Sequence, residues 1–285
     1  MKYELGFHTN CRCGKTLHEI LQNLQAANFK HVMLDAKSED LESGIKLAQS
    51  MGFSVPFVHL PFRKPYGHNV DNFWRKGVEN DKLVDSIIDF IKICDRLGVE
   101  VAIVHPSNGT KGITWDLGQG LASIRKILDA TKHCNVKLAF ENGFHDVNQH
   151  LYHVLDNIDD ERVGFCYDCG HHYLYAPEVD LLGKYGNRCF AVHLHDNMMN
   201  PGKGTSSCDL HLLPFDGKID FARVMSDLVL VNYDGIILLE SKHHRAEVGL
   251  YVYDKLSPVE FLQLAYQRGE QLIKLMQAGN LKIRQ

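Results

Sequence analysis

Residues 163–171 read VGFCYDCGH, a short apolar run that ends in an aspartate and continues into a glycine turn. Residues 136–143 read VKLAFENG and show the same arrangement with a glutamate. Near-continuous apolarity over a short run is typical of a strand that is buried on both faces, as in a parallel sheet covered by helices. The two stretches therefore predict buried parallel strands that end in acidic residues.

Eight apolar runs of this kind alternate with longer helical patterns along the 285 residues. The runs are Tyr3 to Phe7, Val32 to Leu34, Val55 to Val58, Val101 to Val104, Val136 to Phe140, Val163 to Tyr167, Cys189 to Val192 and Gly235 to Leu239. The alternation predicts βαβ units on a parallel sheet. Because a (β/α)8 barrel needs about 250 residues, we expect one TIM barrel domain over residues 1–285.

Two helices are predicted most clearly. One runs from Val78 to Leu97, and the other from Pro258 to Met276 after Ser257 as the N-cap. Gly52 and Gly98 are expected to end helices before the next strands. Residues 196–218 are irregular and rich in Gly, Pro, Asn and Ser. We expect them to form a long loop, which in a compact domain is more often functional than idle.

The composition excludes some classes of protein. The 31 Lys and Arg against 35 Asp and Glu give a net charge of -4, so no global field attracts nucleic acid. No apolar run approaches the roughly 20 residues of a membrane span, and the first residues do not resemble a secretory signal. The eight scattered cysteines suit reduced thiols. We expect a cytoplasmic protein without DNA or membrane partners, and the oligomeric state stays open, a homo-oligomer included.

The residue that directly follows each predicted strand can bind a metal or transfer a proton. These residues are His8, Asp35, His59, His105, Glu141, Asp168, His193 and Glu240. Parallel barrel strands point their carboxyl ends at one mouth, so these side chains are expected to converge there. Imidazole and carboxylate ligands without thiolates suit Zn²⁺, Mn²⁺, Fe²⁺ or Co²⁺. The pattern predicts a divalent metal site.

Glu141, Asp168, His193 and Glu240 are the strongest ligand candidates, because converging ionisable groups in a partly buried mouth repel one another without a cation. His171, Asp209 and His211 follow strands six and seven and extend the set. Other roles stay open elsewhere: His8 as a core histidine bonded to a backbone carbonyl, Asp35 as a helix cap, and His59 and His105 as hydrogen-bond partners of the substrate instead of metal ligands. Surface or supporting positions are expected for His172, His195, His243 and His244, and core packing for Tyr173 and Tyr175.

The ordered motifs resemble the xylose isomerase-like barrel superfamily, which contains sugar isomerases and epimerases and also endonuclease IV. The resemblance covers most of the chain, from the first strand to the eighth. The segments that carry it are FVHLPF (57–62), IVHPSNG (103–109), LAFENG (138–143), YDCGHH (167–172), HLHDN (193–197), DLHLLPFDGKID (209–220) and ILLES (237–241).

The two branches imply different metal sets. The isomerase and epimerase branch implies one divalent metal, Zn²⁺ or Mn²⁺, held by Glu141, Asp168, His193 and Glu240, with His171 touching the substrate. The endonuclease IV branch implies three zinc ions. They would be held by His59, His105 and Glu141, by the same four central residues, and by His171, Asp209 and His211.

Three departures count against the nuclease. The sixth-strand motif is DCGH rather than DTCH, the seventh is HLHDN rather than HLNDSK or HLNDAK, and the net charge is negative. A departure from the isomerase branch is Phe215, which stands where a glycine usually follows Pro214. Phe215 therefore leaves the conformation of the 196–218 loop undecided by the resemblance.

We therefore expect a metal-dependent isomerase or epimerase of a sugar or sugar phosphate, in which Glu141 and Glu240 exchange a proton beside a carbonyl. His171 would hydrogen-bond a developing oxyanion. Lys203, Lys242 or Arg245 would hold a phosphate if they are not simply solvated. The alternatives are a zinc-dependent phosphodiesterase that cleaves abasic DNA and a barrel that binds without catalysis.

Overall fold

The structure is a computed structural model that describes residues 3–35, 41–64, 67–110, 114–199, 201–202, 204–245 and 252–283. Within them, eight parallel strands alternate with helices, as in a TIM barrel. The strands are β1 (Leu5–His8), β2 (His31–Asp35), β3 (Ser54–His59), β4 (Val101–Val104), β5 (Lys137–Glu141), β6 (Val163–Asp168), β7 (Cys189–His193) and β8 (Ile237–Leu239).

The strand bounds depart from the predicted runs by at most two residues at either end. The carboxyl ends differ in a consistent way. Most of the polar residues that were expected to follow the strands are instead their last residues, because the ladder hydrogen bonds continue through them, as in the pairs Asp35↔His59 and Asp168↔His193. His105 and Glu240 do follow their strands.

The helices cover the outside of the sheet. They are α1 (Leu17–Ala26), α2 (Leu41–Ser50), α3 (Val78–Arg96), α4 (Leu117–Ala130), α5 (His145–Asn157), α6 (Cys169–Tyr175), α7 (Leu181–Tyr185), α8 (Phe221–Leu230) and α9 (Pro258–Ile283). The predicted cap of α9 is present: the Glu260 amide donates to Ser257 Oγ at 3.3 Å, and the Glu260 carboxylate accepts the Ser257 amide at 2.7 Å. None of the described helices has the length and apolarity that a membrane span requires.

The sheet closes on itself. Its strand order is β7-β6-β5-β4-β3-β2-β1-β8, and neighbouring strands run parallel. Leu194, just past β7, joins the two ends, because its amide donates to Leu238 O at 2.9 Å and its carbonyl accepts the Glu240 amide at 3.0 Å. All eight carboxyl ends therefore face one mouth.

Two separate layers of apolar side chains hold this arrangement. The smaller cluster fills the barrel interior with alternate strand residues, such as Met33, Phe57, Ile103 and Leu238, which are at most 2% exposed. The larger cluster packs the outer strand faces against the helices. Burial on both faces explains why the strands read as continuous apolar runs.

Candidate metal centre at the barrel mouth

Three groups of metal-binding side chains lie at the mouth among the described residues, and within each group the ligand atoms are within 4.8 Å of one another. Group A is defined as His59, His105 and Glu141. Group B is Glu141, Asp168, His193 and Glu240. Group C is His171, His195, Asp209 and His211. Together they contain all nine residues that the sequence analysis proposed as ligands, and one that it did not.

Group B lies at the ends of β5 to β8. The imidazole Nδ1 of His193 is 3.1 Å from Glu141 Oε1, 3.3 Å from Glu240 Oε2 and 3.8 Å from Asp168 Oδ2. His193 and Asp168 are fully buried, and Glu141 is 2% exposed. Three carboxylates and one imidazole nitrogen thus face a common point.

Group A shares Glu141 with group B. The Nε2 atoms of His59 and His105 are 3.0 Å and 3.1 Å from Glu141 Oε2, the oxygen that does not face His193. His59 Nδ1 donates to the carbonyl of Leu60 at 3.0 Å, which fixes Nε2 as the nitrogen that faces Glu141. The two oxygens of Glu141 therefore face different groups.

Group C unites residues from three segments. His211 Nε2 is 2.9 Å and His171 Nε2 is 3.5 Å from Asp209 Oδ2. The Nδ1 atoms of both histidines donate to backbone carbonyls, those of Glu240 at 2.7 Å and Asn142 at 2.9 Å. His195 completes the group, with Nε2 at 3.9 Å from Asp209 Oδ1.

Two of the strand-end residues, His8 and Asp35, join no group among the described residues. His8 is buried, and its Nε2 donates to the carbonyl of Ser241 at 2.8 Å, the structural role that the sequence analysis had left open. The Asp35 amide donates to Thr9 Oγ1 at 3.3 Å. These side chains therefore stay outside the candidate metal centre.

The electrostatics of the mouth fit a cation. Burial acts to raise the pKa of Glu141, but the His193 and His105 imidazoles outweigh it and hold that pKa well below its usual range. Burial raises the pKa of Glu240, opposed by His193 and reinforced by Glu141 and Asp168. Burial also lowers the pKa of His211 to about 3, which keeps its imidazole in the neutral form that binds metals.

The donor set also fits a divalent metal. Four carboxylates, those of Glu141, Asp168, Asp209 and Glu240, lie close together with little exposure to solvent. Buried carboxylates at this density need a compensating positive charge. In addition, Asp209 Oδ1 and His195 Nδ1 are buried without a hydrogen-bond partner among the described residues. The residues present can therefore hold zinc or manganese.

The described part of the loop after β7, residues 196–199, 201–202 and 204–218, folds over the mouth and brings Asp209 and His211 to it. The Asp196 carboxylate organises this loop by accepting backbone amides at 2.8 to 3.1 Å, those of Asn197, Phe215, Gly217 and Ile219. Asp196 also pairs with Leu212 as a short antiparallel bridge. Phe215 has a φ of 74°, so it retains the left-handed conformation that glycine favours. Lys203 lies outside the described residues.

Arg245, another sequence candidate for holding a phosphate, contacts group C instead. Its guanidinium donates to the carbonyl of Asp209 and lies 3.6 Å from Asp209 Oδ2. A cavity of about 850 Å³ opens beside group A, between the ends of β1 to β3 and α1. Cationic side chains lie along its wall, those of Arg12, Lys15, Arg63 and Lys64.

His195 belongs to group C, although its sequence position had suggested a supporting or surface residue. Its imidazole is fully buried, and Nε2 lies 3.1 Å from Asp168 Oδ1. A signal was present in the sequence, because His195 follows His193 by two residues and alternate residues of an extended chain share a face. Tyr173 packs against the core, as predicted, whereas the ring of Tyr175 contacts that of Phe144. Their hydroxyls donate to the loop carbonyls of Met199 and Thr205.

Comparisons with known proteins identify the family of the chain. The sequence profile of the family described as xylose isomerase-like TIM barrel matches residues 16–259. Inosose dehydratase of Bacillus velezensis is 26% identical over 202 residues, which are 60% of this chain and 65% of that protein. The chain matches only 42% to 66% of the length of the first three curated relatives.

Solved structures share the fold. A D-tagatose 3-epimerase-like protein superposes with a TM-score of 0.72 at 20% identity, covering 98% of this chain and 99% of the other. The IOLI protein with a bound zinc atom superposes with a TM-score of 0.72 at 16% identity, covering 96% and 98%. The family profile spans most of the barrel, including every residue of groups A, B and C. The chain therefore belongs to the xylose isomerase-like TIM barrel family.

Proposed function

We propose that the protein is a divalent-metal-dependent isomerase or epimerase of a small sugar or sugar phosphate. The observation that carries the proposal is the geometry of group B, in which Glu141 and Glu240 approach the same nitrogen of His193 at 3.1 Å and 3.3 Å. Two carboxylates this close can serve one reacting centre. The tagatose epimerase-like fold neighbour and the inosose dehydratase relative support a sugar substrate.

Group B would hold the metal, which polarises the carbonyl and the neighbouring hydroxyl of the sugar when bound. One glutamate removes the proton from the carbon beside the carbonyl. The electron pair of the broken C–H bond then enters the enediolate. The other glutamate returns a proton to that carbon from the opposite face in an epimerase. In an isomerase, the proton returns to the former carbonyl carbon, and the hydroxyl proton passes from the neighbouring oxygen to the former carbonyl oxygen. The reaction balances without an oxidant or reductant.

The cavity beside group A supports a phosphorylated substrate. Its volume of about 850 Å³ is ample for a sugar phosphate, and Arg12, Lys15, Arg63 and Lys64 line it. Helix α1 also begins at this cavity with Thr16 as its N-cap, and a helix N-terminus favours anions. In contrast, Arg245 already contacts Asp209. We therefore propose that a phosphate binds at the cavity.

The test is solvent exchange at the reacting carbon. The protein, loaded with Mn²⁺ or Zn²⁺, is incubated in D₂O with a panel of ketoses, aldoses and their phosphates, and NMR follows deuterium at the carbon beside the carbonyl. We expect exchange with at least one sugar, and a rate about 10² to 10⁴-fold lower for Glu240→Gln, which keeps the size of the side chain. Absence of exchange across the panel would contradict the proposal.

A second candidate is a zinc-dependent phosphodiesterase that resembles endonuclease IV and cleaves abasic DNA. It is favoured by group A, because a mononuclear isomerase does not need His59 and His105 so close to Glu141. It is disfavoured by the net charge of -4. Cleavage of an oligonucleotide with one abasic site, in parallel with the sugar panel, separates the two candidates.

A further inference from the structure

Group C contains four protein ligands, whereas the resemblance to endonuclease IV supplies only three at this position. The additional member is His195, at the third position of the segment HLHDN where that branch carries asparagine. Its imidazole is fully buried and stacks on His211 with ring centroids 4.0 Å apart and planes 19° apart. A buried imidazole between the carboxylates of Asp168 and Asp209 therefore distinguishes this chain from the endonuclease IV branch.

The spacing of group C suits tetrahedral zinc. With metal to ligand distances of 2.0 to 2.1 Å, two ligand atoms on such an ion lie about 3.3 Å apart. The nitrogens of His211, His171 and His195 lie 2.9, 3.5 and 3.9 Å from the Asp209 oxygens that they face. Shifts of a few tenths of an ångström would bring these contacts to the required spacing.

Two details show that group C is built around a common centre. His171 and His211 both use Nδ1 to donate to a backbone carbonyl, which leaves each Nε2 facing Asp209, as is usual for histidines that bind metals. Gly170 leaves room for His195, because a Cβ atom there would lie 2.0 Å from His195 Cε1. Asp209 Oδ1 is buried and has no hydrogen-bond partner among the described residues.

We propose that group C is a closed structural zinc site in which His195 is the fourth ligand and which fixes the 196–218 loop over the barrel mouth. Three imidazole nitrogens and one carboxylate oxygen supply the four ligands of a tetrahedral structural zinc ion, whereas group B, with three carboxylates, suits a metal that adds substrate oxygens to its protein ligands. Asp209 and His211 lie in the loop, His171 lies on α6, and His195 follows β7. The ion thus joins the loop to the ends of β6 and β7, and it makes His171 a structural ligand instead of the oxyanion partner that the sequence predicted.

An alternative role for His195 is to donate a hydrogen bond to Asp168, whose oxygens lie 3.1 and 3.2 Å from His195 Nε2. The variant His195→Gln separates the two roles, because the glutamine amide reaches the position of Nε2 and can still donate to Asp168 but is a poor zinc ligand. His211→Ala removes group C. His172→Gln is the matched control, since His172 bonds to Tyr167 and Val179 outside all three groups.

The experiment uses the metal alone. Full-length protein is stripped with a chelator and titrated with Co²⁺, whose visible absorbance is much stronger in a four-coordinate site than in a six-coordinate one. We expect a strong four-coordinate component that His211→Ala removes, His195→Gln weakens several-fold and His172→Gln retains. Circular dichroism checks that each variant is folded.

Limited proteolysis gives a second readout. We expect the 196–218 loop to be cut several-fold faster after chelation, and zinc to restore protection in the wild-type protein but not in His195→Gln. The proposal is overturned if His195→Gln keeps the four-coordinate absorbance, which would leave only the hydrogen bond to Asp168. It is also overturned if His211→Ala changes neither the spectrum nor the protection. Neither readout depends on sugar turnover, so both separate this proposal from the proposed reaction.

Discussion

At the scale of single residues, Glu141 links two groups. Its Oε2 faces His59 and His105, and its Oε1 faces His193. A carboxylate with two oxygens can bridge two ions. The side chain is 2% exposed, so water cannot easily replace either oxygen.

We predict that Glu141→Gln weakens zinc binding at both group A and group B, because it replaces the shared ligand, whereas Glu240→Gln affects group B only. Residues that merely support a ligand change metal affinity by about 10 to 100-fold, so loss of a ligand should exceed that range. Isothermal titration and elemental analysis of zinc measure the difference. If both variants lost the same amount of metal, Glu141 would not be shared.

The residue scale also shows how far the sequence could predict the site. The ligands at strand ends lie at the mouth because the carboxyl ends of the strands of a parallel barrel converge there. His195 was missed because its burial depends on Gly170 and on the stacking against His211, and both are contacts between distant segments. Conversely, His8 was included by position alone, although its Nε2 donates to Ser241 O.

At the scale of elements, the 196–218 loop depends on one buried carboxylate. Asp196 is fully buried and accepts four backbone amides, three of them more than 15 residues away in sequence. The internal course of the loop could not be predicted from local sequence, because these long-range hydrogen bonds set it. Its length and irregularity could be predicted.

We predict that Asp196→Ala destabilises the protein by about 2 to 4 kcal/mol, since each buried amide that loses its acceptor costs about 1 to 3 kcal/mol and part of the loop can relax into water. Asp196→Asn keeps one acceptor oxygen and should cost less. Urea denaturation measures both values. An alanine variant as stable as the wild type would show that the loop does not depend on this carboxylate.

Helix ends provide a second prediction at this scale. Gly98 follows α3 with a φ of 73°, and a Cβ atom there would meet nothing within 4 Å. Gly98→Ala should therefore destabilise the protein by about 1 to 2 kcal/mol through backbone strain alone. Gly44→Ala is the matched control in α2, because its Cβ would lie 3.4 Å from Leu17 Cδ2, an ordinary contact.

We expect Gly44→Ala to stabilise the protein by about 0.5 to 1 kcal/mol, because alanine restricts the unfolded chain and favours a helix. Chemical denaturation of the two variants gives opposite signs if the backbone argument holds. Gly52 and Gly98 were predicted as helix ends from sequence, and both have positive φ angles. Helix α9 was predicted too short, since it continues from Met276 to Ile283.

At the scale of the whole molecule, charge decides which partners can approach. With a net charge of -4 and acidic groups concentrated at the mouth, we predict weak, nonspecific DNA binding that disappears as salt rises. Fluorescence anisotropy with an intact duplex and with a matched abasic duplex tests this at low and moderate salt. Tight binding that selects the abasic duplex would favour the phosphodiesterase instead.

The fold and the convergence of ligands could be predicted at this scale, but the division into groups could not. Eight alternating units fix the barrel and the common mouth. The register of neighbouring strands, such as the pairing of Asp168 with His193, decides which ligand atoms can reach the same metal ion. This choice of ligand atoms depends equally on the loop that delivers Asp209 and His211, whose path is set by Asp196.

The spread of the group B ligands along the chain, from β5 to just past β8, has a consequence for how the protein is made. Ligands of group B begin with Glu141 on β5 and end with Glu240 beyond β8, so a growing chain cannot present the full set until the eighth strand has left the ribosome. Chains are synthesised from the amino terminus at about 5 to 20 residues per second, so Glu141 leaves the ribosome before Glu240 has been synthesised. We therefore expect group B to bind its metal only late in synthesis. Chains that stall or end before β8 should not bind zinc or manganese at group B.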